Sequence, residues 1–273
     1  MEIFGYISAI IIGISLGLIG GGGSILTVPV LVYLFGVDPV MATAYSLFIV
    51  GTSSLVGAIP KYKQGLISLK TALVFGIPSI VSVFATRKFI VPAIPHELFE
   101  IGGFVVTKAV LMMMLFAVLM VAASVSMIKK NKNRGDANDN TEQKFNYPMI
   151  ILEGLVVGVL TGLVGAGGGF LIIPALVVLS KLPMKMAVGT SLLIIAAKSL
   201  IGFIGDISTS ASAMNWPLLT AVTALAIGGI FIGNYLSKKI DGNKLKKGFG
   251  WFVLIMGVYI IINELFLKTG GGH

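Results

Sequence analysis

Long apolar segments with few charged side chains follow one another along the whole chain. The segments lie at about 3–19, 25–36, 40–59, 69–86, 104–128, 148–165, 169–180, 184–205, 216–236 and 249–267. Several of them reach the roughly 18 residues that suggest a membrane span. Charged residues make up only 11% of the chain, whereas an ordinary soluble domain has about 25%. A soluble enzyme or a disordered chain is therefore excluded, and the sequence predicts an all-α, polytopic membrane protein.

One polar stretch interrupts the apolar segments and divides the chain into two halves. Residues 129–146 are rich in charge and poor in hydrophobic side chains, which indicates a solvated linker. The predicted organisation is a first membrane repeat (1–128), the linker (129–146), a second membrane repeat (147–268) and a short tail (269–273). Each repeat contains five apolar segments.

The two halves are copies of one another. A shift of 145 residues aligns the glycine run at 20–23 with that at 165–168, and Pro29 with Pro174. Between positions 17 and 60, 19 of 44 aligned residues are identical without a gap. Apolar composition alone does not bring glycine runs and prolines into register, so the sequence predicts an internal repeat.

The glycine run in the first half predicts a break between two half-helices. The stretch from Phe4 to Phe35 would be about 48 Å long as one helix, against a hydrocarbon core of about 30 Å. It forms either one broken span or a hairpin that enters the membrane and returns. The hairpin places 15 Lys and Arg on one side and four on the other, with Lys198 inside a span. The single broken span gives no such bias, so the positive-inside rule favours the hairpin.

The hairpin has consequences for the topology of the whole chain. Each half then crosses the membrane three times, so the two five-segment repeats, with their glycine-broken half-helices, are inverted. We predict a multi-pass protein of the cell (inner) membrane with a cytoplasmic linker and both termini outside. The N-terminus lacks a basic region and a small-residue cleavage site, so we expect no removable signal peptide.

The two glycine runs are the first candidate binding elements. Irregular backbone at membrane depth is tolerated where it is buried or lines a cavity, and the start of a half-helix attracts anions. Inverted repeats bring two such starts together near the midplane. Close helix packing is the alternative role of these glycines, while the flanking helices argue against a nucleotide-binding loop. The candidate substrate-binding residues of the runs are Gly21, Gly22, Gly23, Ser24, Gly167, Gly168 and Gly169.

Lys198 is the basic residue placed well inside an apolar span. A charge at this depth is costly unless it is paired or hydrated, so we expect Lys198 to face a cavity and to balance an anionic substrate. The alternative is a lysine whose ammonium group snorkels to the membrane interface. Its equivalent in the first half is Ser53, which we add to the candidates. Hydroxyl donors are expected from Ser46 and, among the residues of the second half, from Thr190 and Ser191.

The other polar residues give less specific predictions about function. Glu153 lies in a span close to its end, so it is either a proton-coupling group or an interfacial residue. Asp206 is expected to be a solvated cap at the end of its span. The net charge of +9 resides mostly in short loops, which is typical of cytoplasmic loops and does not indicate nucleic-acid binding. The sequence contains no nucleophile–base pair, metal-ligand spacing or cofactor motif, so we expect no catalytic residues, metal or cofactor.

Taken together, these motifs resemble those of the TauE/SafE family of sulfite exporters. The matching residues of the second half are the glycine run 165–169, Pro174 and Gly189-Thr190-Ser191-Leu192. The first half has the run 20–24, Pro29 and Ala44-Tyr45-Ser46-Leu47, where the family usually has threonine in place of tyrosine. The resemblance implies a secondary transporter of small sulfur-containing anions such as sulfite, sulfoacetate or related organosulfonates.

The sequence therefore leads to a secondary transporter of a small oxyanion, with a coupling proton as a further candidate partner. A passive anion channel and a transporter of another small carboxylate or oxyanion remain as alternatives. An enzyme embedded in the membrane would need a paired acid and base or metal ligands, which the spans do not supply.

Overall fold

The computed structural model describes residues 2–21, 23–101, 104–128, 147–164, 169, 172–173, 176, 182–210, 214–237 and 242–264. Helices make up most of this part of the chain, as the sequence predicts. They are α1 (Glu2–Ile19), α2 (Ser24–Tyr33), α3 (Pro39–Lys63), α4 (Leu69–Ala85), α5 (Lys108–Ile128), α6 (Tyr147–Val164), α7 (Met184–Ser210), α8 (Trp216–Leu236) and α9 (Gly242–Ile262).

The segment after α4 departs from the predicted pattern. α4 continues through a π-helical turn (Thr86–Ile90) and a short helical turn (Val91–Ala93). Two antiparallel strands follow, β1 (Glu97–Ile101) and β2 (Phe104–Thr107). The sequence predicts that 104–107 belong to an apolar helical segment. The run Phe-Val-Val-Thr consists of residues that favour strands, which accounts for the difference.

α1 and α2 form a hairpin around the first glycine run. Gly20 has a positive φ of 86°, a conformation that glycine adopts without strain. The ring of Tyr6, near the start of α1, packs edge-on against that of Phe35, just beyond α2, at 5.2 Å. A Cβ added to Gly23 would lie 2.4 Å from the carbonyl oxygen of Ile12. α2 therefore runs back along α1.

Polar side chains fix where three of the long helices begin. Asp38 accepts hydrogen bonds from the N–H groups of residues 40 and 41 at the start of α3, and Pro39 occupies the first helical position. Ser68 accepts one from the N–H of Thr71 at the start of α4. Asn215 accepts one from that of Leu218 at the start of α8. These caps satisfy N–H groups that each helix would otherwise leave unpaired.

Glycines at repeat-equivalent positions hold α1 against α8 and α6 against α4. A Cβ on Gly13 would lie 2.0 Å from the carbonyl oxygen of Ala226, and one on Gly158 would lie 2.7 Å from that of Ser79. Gly13 and Gly158 are 145 residues apart, as the internal repeat requires. The main chains therefore touch in both pairs, a packing that small residues allow in membranes.

α3 and α7, which are equivalent helices of the two halves, cross antiparallel at the centre. The rings of Phe48 and Phe203 lie 5.0 Å apart, and a Cβ on Gly57 would lie 3.6 Å from Leu192. Residue numbers thus rise on α3 as they fall on α7, and Ser53 is level with the middle of α7. Equivalent helices of inverted repeats would pack in this way. The inversion of the complete halves stays a prediction.

The outer surface is suited to lipid. Along α4, Leu69, Leu73, Ile77 and Val81 are each more than half exposed and form one apolar stripe. Four helices in the described part of the chain are long and apolar enough to cross a membrane. They are Pro39–Lys63, Leu69–Ala93, Lys185–Ile207 and Trp216–Leu236.

Candidate functional site

The two glycine runs are in direct main-chain contact inside the protein. A Cβ added to Gly21 would lie 2.1 Å from the Cα of Gly169, and the reciprocal distance is also 2.1 Å. Both residues are buried, so no side chain fits between them. α2 begins at Ser24, three residues beyond this contact. The remaining predicted glycines of the runs, Gly22, Gly167 and Gly168, lie outside the described residues.

The same stretch of α7 packs against both glycine runs. A Cβ on Gly20 would lie 3.0 Å from the Oγ of Ser191, and one on Gly169 would lie 2.6 Å from the Cδ1 of Ile195. Ser191 and Ile195 are separated by one helical turn. The structure therefore brings Gly21, Gly169 and Ser191 together, and their role in a binding site stays a prediction. Gly23 instead packs against α1.

Two of the candidate serines use their protons within the protein. The Oγ of Ser24 donates to the carbonyl oxygen of Gly21 at 2.7 Å. The Oγ of Ser191 donates to that of Val188 at 2.8 Å. Such bonds to the backbone are common for serine in helices. In this conformation neither proton is available to an anion.

The hydroxyl groups of the other three candidate residues do not donate to the backbone in the described structure. The Oγ1 of Thr190 accepts a hydrogen bond of 2.9 Å from the N–H of Ser68, next to α4, and keeps its own proton. Ser46 and Ser53 are fully buried, and their Oγ atoms have no hydrogen-bond partner within the described part of the chain. A buried hydroxyl without a partner is uncommon. These serines can therefore donate to a ligand without breaking an existing bond.

Lys198 lies in the middle of α7 and does not reach the surface. It is 1% exposed, which rules out a snorkelling ammonium group in this conformation. Its Nζ donates to the Oγ1 of Thr161 at 3.2 Å, and that hydroxyl donates to the carbonyl oxygen of Gly158 at 3.3 Å. No described carboxylate lies within ion-pair distance of it. A buried cation is expensive without a counter-charge.

The position of Lys198 relates it to the glycine contact. Ile195, which contacts Gly169, precedes Lys198 by three residues on α7. Thr161, which accepts its hydrogen bond, lies three residues before the end of α6 at Val164, just before the second glycine run. The cation is therefore adjacent to the region where the two runs meet.

A buried ion pair joins two residues that the sequence does not connect. The expectation that Asp206 is a solvated cap is wrong, because Asp206 is only 7% exposed and lies 3.4 Å from Nη1 of Arg87. Arg87 directly follows the predicted apolar stretch 69–86, and Asp206 directly follows the stretch 184–205. Each charge stands at the end of an apolar run, where a cap and an ion pair give the same sequence pattern. Only the packing of α4 against α7 distinguishes them.

The described residues contain no group of three His, Cys, Asp or Glu side chains that could hold a metal ion. Glu153 is partly exposed on α6.

Comparisons with known proteins identify the family. The sequence model described as "Sulfite exporter TauE/SafE" matches residues 6–260. The chain belongs to the TauE/SafE family. The resemblance predicted from the glycine runs and the Gly-Thr-Ser-Leu motif is thereby confirmed.

Relatives of this TauE/SafE protein are named as transporters. A "Probable membrane transporter protein" of Xylella fastidiosa (strain Temecula1) is 26% identical, over 92% of this chain and 91% of its own length. The "Probable membrane transporter protein YunE" of Bacillus subtilis is 26% identical, over 96% of this chain and 99% of its own. A "Probable membrane transporter protein" of Methanocaldococcus jannaschii is 28% identical, over 92% of each chain. No solved structure is significantly similar to the chain.

Proposed function

We propose that this TauE/SafE protein is a secondary transporter of a small oxyanion in the inner membrane, with sulfite and organosulfonates as the favoured class. The family and the named relatives support membrane transport. The substrate class comes from the family's description. The observation that carries the proposal is Lys198, a buried cation without a carboxylate partner among the described residues, adjacent to the contact between the glycine runs.

The anion would be held by charge and by hydrogen bonds that the protein does not already use. Lys198 provides the counter-charge. The start of α2, just beyond the Gly21–Gly169 contact, adds the positive end of a helix dipole. Ser53, which is level with Lys198, supplies a hydroxyl proton. Ser46 and Thr190 lie about two helical turns from Lys198 in opposite directions, so they would contact the anion as it enters or leaves the site. The hydroxyl groups of Ser24 and Ser191 donate to backbone carbonyl oxygens in this conformation. They could donate to the anion only after these bonds break.

Transport would follow from movement of one half against the other around this site. α3 and α7 carry Ser53 and Lys198 at the same level, so the proposed site lies where the two halves meet. Because Lys198 is 1% exposed, the anion in this conformation would be closed off from both sides. A coupling proton remains part of the proposal, with Glu153 as its candidate carrier. No chemical conversion of the anion is involved.

A passive channel and a carrier of small carboxylates are the alternative functions. Counterflow distinguishes a carrier from a channel, and competition by unlabelled anions distinguishes the substrate class. Liposomes containing the purified protein are loaded with unlabelled sulfite and diluted into a trace of radioactive sulfite. We expect the label to rise transiently above its equilibrium level, because a carrier exchanges ions one for one. Sulfoacetate outside should suppress uptake more than acetate. Simple equilibration would indicate a channel, and stronger suppression by acetate would contradict the sulfur-anion class.

Removal of the Ser53 hydroxyl, which is level with Lys198, should weaken the anion site. A neutral donor that binds a charged acceptor contributes about 1.5–3 kcal/mol, so Ser53→Ala should raise the KM for uptake roughly tenfold or more. The melting temperature should stay unchanged, because the hydroxyl has no partner to lose. The matched control is Ser124→Ala on α5, whose hydroxyl donates to the carbonyl oxygen of Val121. An equal KM in both variants would remove Ser53 from the site.

A further inference from the structure

A second group of buried charges lies where the π-helical turn after α4 packs against α7. The side chain of Arg87 has no exposed surface, and its Nη1 lies 3.4 Å from the carboxylate of Asp206. Nη1 also donates to the Oγ1 of Thr43 at 2.9 Å. Lys108, at the start of α5, is 8% exposed and donates to a backbone carbonyl oxygen. The group therefore joins α3, α4, α5 and α7.

One edge of the Arg87 guanidinium group is unused. Its Nε and Nη2 atoms are buried and have no hydrogen-bond partner in the described parts of the protein. These two nitrogens point their N–H groups in parallel, in the fork that binds both oxygens of a carboxylate or another oxyanion. Asp206 and Thr43 occupy only the Nη1 side. The unused edge is thus a complete two-pronged donor for an anion.

The buried charges of this group do not balance. Arg87 and Lys108 both interact electrostatically with Asp206, the buried carboxylate of the group. Asp38, which also acts on Lys108, is exposed to solvent and caps α3. The group thus contains two buried cations and one buried carboxylate, while Asp38, the other carboxylate that acts on Lys108, is screened by solvent. Since unpaired buried charge is costly, one further negative charge would stabilise the group.

The group is connected to the site around Lys198. Thr86 precedes Arg87 in the π-helical turn, and its buried Oγ1 has no partner in the described structure. Its side chain packs against Gly162, which follows the Thr161 that holds Lys198. Asp206 lies eight residues after Lys198 on α7, about 12 Å along the helix. π-helical turns are frequent at functional sites.

We propose that the free Nε and Nη2 edge of Arg87 is a second binding site for a small oxyanion, about two helical turns from Lys198. The proposal rests on the proposed function for the class of ligand. Thr86, whose side chain faces Gly162 on α6, offers a hydroxyl donor between this site and Lys198, and Lys108 adds positive charge. Because the Arg87 side chain has no exposed surface here, the anion reaches it when this end of the protein opens. The second site then receives or releases the anion on one side of the membrane.

The test uses sulfite as the probe and separates the two sites by mutation. Binding to purified protein in detergent is measured by calorimetry in the Lys198→Met variant, which lacks the first site. We expect sulfite to bind this variant. Adding Arg87→Lys keeps the positive charge but removes the fork, and should weaken binding about tenfold or more. The control is Lys88→Met, which removes the neighbouring exposed cation and should leave sulfite binding unchanged.

Asp206→Asn gives a second, independent measurement. Because it removes the carboxylate that competes for Arg87, it should tighten sulfite binding in the Lys198→Met protein. Sulfite should also raise the melting temperature of the Asp206→Asn variant more than that of the unmodified protein. If Arg87 only holds α4 to α7, Asp206→Asn lowers the melting temperature and leaves sulfite affinity unchanged, which overturns the proposal.

The outcomes for the two proposals are distinct. If the unmodified protein binds sulfite and the Lys198→Met variant binds none, the Arg87 site is refuted and the proposed function stands. If the Lys198→Met variant still transports sulfite at the normal rate, the proposed transport site is refuted. In that case the Arg87→Lys and Asp206→Asn measurements still decide the second site.

Discussion

We expect that replacing Lys198 by methionine will abolish oxyanion transport and leave the protein folded. Loss of one partner of a buried charge pair costs about 2–5 kcal/mol, so the initial rate of uptake at low substrate should fall at least about thirtyfold. Methionine has a similar length and removes a buried charge, and the free energy of unfolding should therefore stay the same or rise. Uptake into liposomes and thermal unfolding in detergent measure the two effects.

The control for this variant is Lys63→Met. It makes the same change in net charge at an exposed lysine in the last turn of α3. Normal uptake by Lys63→Met together with lost uptake by Lys198→Met would exclude a general effect of charge. Unchanged uptake by both variants would remove Lys198 from the mechanism.

Substitution of Gly21 by alanine disrupts the contact between the two glycine runs. The added Cβ would lie 2.1 Å from the Cα of Gly169, and backbone cannot give way as a flexible side chain can. We expect a loss of stability at or above the about 1–3 kcal/mol typical of overpacking, together with loss of transport. Gly169→Ala should have the same effect, since the clash is reciprocal. The melting temperature and uptake are measured for both variants.

Gly228→Ala is the matched control for these variants. Gly228 lies inside α8, is exposed, and an added Cβ would have no atom within 4 Å. Alanine favours the helix over glycine, so this change should be neutral or slightly stabilising. A Gly21→Ala protein that melts and transports like Gly228→Ala would show that the close contact between the runs is dispensable.

The helical architecture could be predicted from the sequence because hydropathy and helix signals agree. α1 spans residues 2–19 and α6 spans 147–164, so both ends differ by the 145 residues of the repeat. The predicted apolar stretch 216–236 coincides with α8. The β1–β2 hairpin could not be predicted in this way, because a short β-favouring run next to a longer apolar helix has no distinct hydropathy signal.

The candidate site could be predicted only in part. The glycine runs and Lys198 stand out because glycine repeats and a charge inside an apolar span are rare. The hydroxyl roles could not be read from the sequence, since Ser46 and Ser191 occupy equivalent positions and yet only Ser191 donates to the backbone in the described structure. The pairing of Arg87 with Asp206 has no sequence signal, because ion pairs between distant helices depend on packing.

The proposed anion site beside Lys198 can be tested by a crystal structure of the protein with selenite, an anomalous scatterer that can take the place of sulfite. We predict an anomalous peak next to the Nζ of Lys198, where the glycine runs of the two halves meet. Selenite binding that leaves no peak near Lys198, with density confined to the protein surface, would contradict the account.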